Sequence, residues 1–111
     1  MPYLLIQIVR FVDEHQPGFV AGEFTDAQGR RHTIIDKVPV IGLTDLWSDS
    51  NYPQPGVAKC EILARLQDGE GHKLSRITID KPWSLESAEG RIEFVVFDSQ
   101  LTDAPTNGGP S

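Results

Sequence analysis

Val57-Ala58-Lys59-Cys60-Glu61-Ile62-Leu63-Ala64-Arg65-Leu66 is the cleanest alternating stretch of the chain. Ala58, Cys60, Ile62, Ala64 and Leu66 fall on one side of an extended backbone, and Lys59, Glu61 and Arg65 on the other. Successive side chains of a strand point to opposite faces, so this pattern predicts a half-buried strand over 57–66. Toward the C-terminus, Asp68-Gly69-Glu70-Gly71 turns the chain into a further alternating run at 74–79, and another follows at 92–97. Toward the N-terminus, runs at 3–12, 19–25 and 32–41 are each bounded by glycine or proline. Six strands with turn chemistry between them, and no long helical periodicity, predict an all-β fold. It is a small six-stranded, mainly antiparallel barrel, or a highly twisted sandwich.

Local signals refine this picture. Leu4, Ile6, Ile8 and Val12 share one face of the first strand, with Leu5, Val9 and Phe11 on the other, as expected of a central or covered strand. His15-Gln16-Pro17-Gly18 reads as a turn, and Gly22 inside the second run predicts a bulge or bend. Asp26-Ala27-Gln28-Gly29 reads as a tight hairpin connection with Gly29 in the left-handed region. Pro39 cannot donate to a ladder, so the third strand should end, bulge or leave the sheet there. The stretch 42–56 carries no strand pattern and is expected to be one long loop, with a short helical turn at Thr44–Trp47. A single domain is expected over 1–101. Residues 102–111, without a large apolar side chain, are expected to form a disordered tail.

Composition narrows the function classes. Hydrophobic content of 39% with 23% charged residues fits a globular domain, and no apolar run approaches the roughly 20 residues of a membrane helix. Gln7 and Arg10 interrupt the apolar N-terminus, which reads as a strand rather than a signal peptide; with the lone Cys60, this predicts a cytoplasmic protein. A formal charge of −6 disfavours nucleic-acid binding by bulk charge and favours a basic partner. Cys60, on an apolar face, is expected to be buried and inert. His15, His32 and His72 lie at or near turns, where exposure is expected, and no pair has zinc-ligand spacing. The loop beginning at Asp45 fails the calcium pattern, since its sixth and twelfth positions are Ser50 and Gly56. No catalytic signature, metal site or cofactor site is predicted.

Three function classes remain. The leading expectation is a non-catalytic protein-binding module that meets its partner through the 42–56 loop. Asp45, Trp47, Asp49, Tyr52 and Trp83 are its candidate site residues, because aromatics outside strands either plug a barrel end or form a recognition hot spot. The alternative is an oligonucleotide-binding barrel using Arg30, Arg31 and Lys37 with exposed aromatics; in the plainer reading the arginines meet Asp26 or another carboxylate. The third is a small-ligand pocket or enzyme at the barrel mouth, with Asp45, Asp49 or His32 as polar groups. An exposed strand edge would also offer a route to a homo-oligomer.

Overall fold

A computed structural model describes residues 2–14 and 18–103. The chain forms β1 (Tyr3–Asp13), β2 (Phe19–Thr25), β3 (Arg31–Lys37), a helical turn α1 (Val38–Ile41), β4 (Gln54–Lys59), β5 (Glu61–Gln67), β6 (Lys73–Thr78), β7 (Glu93–Phe97) and β8 (Leu101–Thr102). A 3-10 turn at Asp98–Gln100 precedes β8. All strand pairs are antiparallel, in two sheets. One has the order β3-β2-β1-β4, with β8 also on β1; the other has the order β5-β6-β7. The arrangement is therefore the two-sheet form of the expected fold rather than a closed barrel. No helix among the described residues is long and apolar enough to cross a membrane.

The core lies between the sheets. Leu4, Ile6 and Ile8 of β1, Val20 and Phe24 of β2, Ile34 of β3 and Ala58 of β4 meet Ile77, Ile79, Phe94 and Val96, all of them buried. Each fully buried Leu or Ile contributes about 1.5–3 kcal/mol of transfer free energy, so these rows determine the register. The sheets are tied together at their flanks. Ala27 N–H, in the β2–β3 turn, donates to Val95 O at 2.9 Å, and Ala88 N–H donates to Thr33 O at 2.7 Å. These bonds give the free edges of β7 and β3 partners without closing a barrel.

Several expectations are corrected. The 57–66 run is two strands in different sheets. The chain turns the corner at Cys60, which is fully buried and donates its N–H to Pro2 O at 3.1 Å. Past that corner a bulge between Ile62 and Ala64 changes the parity, leaving Leu63 and Leu66 40% and 42% exposed, so Leu66 does not face the core. Within β1, register shifts between Ile8 and Arg10 and between Phe11 and Asp13 break the alternation, and Val12 is exposed. The irregularity expected at Gly22 sits in its partner strand. Gly22 itself permits a close approach, since a Cβ there would lie 2.6 Å from Ile6 Cδ1. The long loop is shorter than expected because β4 starts at Gln54, with Pro55 opposite Gln7. Thr44–Trp47 forms no helical turn; the turn lies earlier, at α1, directly after the β3 exit expected near Pro39.

At the C-terminus, Leu101 and Thr102 pair with Leu4 and Tyr3, so Thr102 belongs to a strand and not to a tail. The rest of the tail from residue 104, like most of the 15–18 turn, lies outside the described residues. Asp26–Gly29 forms the expected hairpin connection, with Gly29 at φ 85°. The Cys60 thiol is pushed up to about 11 by burial, so it is fully protonated at neutral pH, as a structural side chain should be.

Candidate functional site

The Trp47 loop is built outward from two anchors. Leu46 is only 5% exposed and enters the core, and Tyr52 is half-buried against it. Trp47, next to the first anchor, is 60% exposed, the highest value among the large hydrophobic side chains of the described residues. Its backbone is fixed by three hydrogen bonds. Trp47 N–H donates to Ser50 Oγ at 2.9 Å, Ser50 N–H donates to Trp47 O at 3.1 Å, and the Tyr52 hydroxyl donates to the same carbonyl at 2.7 Å. Partial burial raises the Tyr52 phenol above its usual value, with the Asp49 carboxylate adding to the effect. Gln54 Nε2 closes the loop by donating to Asn51 O at 2.6 Å. Asp45 and Asp49 are exposed, and neither makes a hydrogen bond or ion pair among the described residues. An exposed indole is thus held on a tied backbone with free carboxylates beside it.

Trp83 occupies a different setting. It sits at the tip of a loop closed by Ser84 N–H donating to Asp80 O at 2.7 Å and Leu85 N–H donating to Ile79 O at 2.9 Å. Leu85, 1% exposed, anchors this loop in the core, while Trp83 stays 47% exposed. The Lys59 ammonium lies 4.8 Å from the Trp83 ring centroid and 5.5 Å from that of Tyr3, within cation–π range of both. Asp36, Lys37, Pro39, Val40 and Trp83 line a groove of about 420 Å³.

The basic candidates separate. Arg31 opens β3 and Lys37 ends it, which puts them about 20 Å apart along the strand. Arg31 lines a wider cleft of about 740 Å³ on the outer face of the larger sheet, with Leu5, Gln7, Glu23, Gln54 and Gln100. The Gln100 side chain there is already engaged, donating to Thr25 O at 2.8 Å and accepting from Phe97 N–H at 2.9 Å. Arg30 is exposed beside it in the hairpin. Lys37 instead shares the Trp83 groove.

His32 is buried, contrary to the exposure expected near a turn. Its Nε2 lies 2.7 Å from Asp26 Oδ2, with the two side chains 4% and 6% exposed. Asp26 Oδ1 also accepts the N–H groups of Gln28 at 2.9 Å and Arg30 at 3.0 Å, so its carboxylate is engaged by His32 and by backbone, not by an arginine side chain. Burial acts to raise the Asp26 carboxyl, but these hydrogen bonds and the imidazole outweigh it and hold it below the usual carboxylate value. The His32 ring packs on Phe24 and Phe94, at centroid distances of 5.3 and 4.6 Å. With both side chains enclosed, this pair ties the β2–β3 hairpin, and its ring packs on Phe94 of the other sheet rather than facing a ligand. Among the described residues no three His, Cys, Asp or Glu side chains cluster as a metal site would require.

No protein-family model, curated protein or solved structure matches the chain.

Proposed function

We propose that the protein is a non-catalytic cytoplasmic binding module that engages a basic protein partner through Trp47, with Asp45 and Asp49 as the flanking charges and Tyr52 as the support. The observation that carries this reading is the exposed Trp47 ring on a backbone tied by three hydrogen bonds. Exposing a large aromatic side chain forgoes burial free energy, and fixing its backbone lowers the ordering cost of binding. Tryptophan is also prominent among the side chains that dominate interface energetics. The unpaired Asp45 and Asp49 carboxylates, within a chain of net charge −6, attract a basic surface and hasten the encounter.

The test compares wild type and Trp47→Ala for stability and for capture of partners from nuclease-treated lysate. Because the indole is exposed, Trp47→Ala should leave the unfolding free energy within about 1 kcal/mol. Binding of the captured partner should weaken by about 2 kcal/mol or more. Equal capture by the two proteins, or capture that disappears with nuclease treatment, would count against the proposal.

A further inference from the structure

The Trp83 groove has a chemistry unlike that of the Trp47 loop, and each of its lining groups suits a different part of one ligand class. Trp83 offers a half-exposed indole, and Pro39 and Val40 supply apolar wall, which together form a slot for a planar ring. Lys37 is exposed, and its ammonium has no partner among the described residues. Asp36 Oδ1 accepts the Lys37 N–H at 2.7 Å, which orients the carboxylate and leaves Oδ2 free. Lys59 braces the indole from β4, and the unpaired Lys81 lies two residues before it in sequence. Lys37 in the groove and Lys59 on the indole thus stand with Asp36 in a chain of net charge −6. At about 420 Å³ the groove lies within the roughly 300–1,000 Å³ range of small-molecule sites.

We propose that this groove binds a nucleotide, with the base against Trp83, the phosphate on Lys37 and the sugar hydroxyls on Asp36. Aromatic side chains stack on any base, because every base has a π-face. A compact ammonium is a natural phosphate partner, and a carboxylate accepts hydrogen bonds from vicinal ribose hydroxyls. The same chemistry is presented by a free mononucleotide and by a nucleotide within single-stranded RNA or DNA.

A Trp47→Phe background leaves Trp83 as the only indole, so its emission reports directly on the groove. Adenosine monophosphate at millimolar concentration should quench that emission saturably, and more tightly than adenosine does. Lys37→Ala, an exposed change that should leave the far-ultraviolet circular dichroism unaltered, should weaken binding about tenfold or more, the worth of a charge-assisted hydrogen bond. Asp36→Asn should remove the preference for the ribonucleotide over its 2′-deoxy form. A short oligo(A) that binds more tightly than the monophosphate, with a steeper salt dependence, would identify single-stranded nucleic acid as the source; equal or weaker binding would identify the free nucleotide. Absence of saturable quenching by both probes would overturn the proposal. So would quenching that Lys37→Ala leaves unchanged.

Discussion

Replacing His32 with alanine is expected to lower the unfolding free energy by about 3–5 kcal/mol, the cost of leaving the buried Asp26 carboxylate without its side-chain partner. The substitution strips Asp26 Oδ2 of its 2.7 Å partner and opens a void between Phe24 and Phe94. The Asp26 carboxylate stays in its hairpin, still bonded to Gln28 and Arg30 N–H but incompletely satisfied. A pH signature accompanies the effect. The folded-state carboxyl of Asp26 is held below its unfolded value, so the unfolded chain binds more protons in acid. The stabilisation is complete above about pH 4, the unfolded value, and is lost as pH falls through the folded value. Asp26→Asn should therefore reduce the fall in thermal midpoint between neutral pH and pH 3 relative to wild type. Chemical denaturation at pH 7 and thermal scans across that acid range check both parts. A loss below about 1 kcal/mol for His32→Ala would show that the pair and its packing on Phe94 do not hold the hairpin in place.

Gly56→Ala is expected to be the second severe change. A methyl group there would lie 2.6 Å from Ile41 O and 2.6 Å from Ile8 Cδ1. The isoleucine can adjust, but the carbonyl belongs to the backbone of α1, and Gly56 also bridges to Gly42 at the start of the Trp47 loop. Overpacking of this kind costs about 1–3 kcal/mol and more where backbone must move, so a loss of about 3 kcal/mol is anticipated. Gly69→Ala, where an added methyl meets nothing within 4 Å, is the matched control and should change stability by less than about 1 kcal/mol. Equal stabilities for the two variants would contradict the close packing of α1 on β4.

The strand content was legible because burial between two sheets imposes period two. Leu4, Ile6 and Ile8, then Ile77 and Ile79, then Phe94 and Val96 alternate as written and are buried as written. Bulges and corners were not legible, since an inserted residue leaves the local alternation intact while exchanging its faces. That is why Leu66 and Val12 point outward and why one alternating run at 57–66 serves two sheets. Pro55 concealed the start of β4, although a proline is tolerated at a sheet edge. His32 could have been found: it shares parity with Ile34 in β3, which places it inward, and Asp26 opens the hairpin opposite. The exposure of Trp47 was not legible. Leu46 and Trp47 are adjacent and both apolar, and only the path of the loop decides which of them enters the core.

Placing a photo-crosslinking phenylalanine analogue at position 47 tests the central claim most directly. Irradiation in native lysate should yield a discrete protein adduct, and the same probe at the exposed Glu70, in the β5–β6 turn, should not. The adduct should survive nuclease treatment and diminish with rising salt, as the unpaired Asp45 and Asp49 carboxylates require. No adduct at position 47 above the level seen at position 70 would contradict the assignment of the Trp47 loop as a protein-contact site.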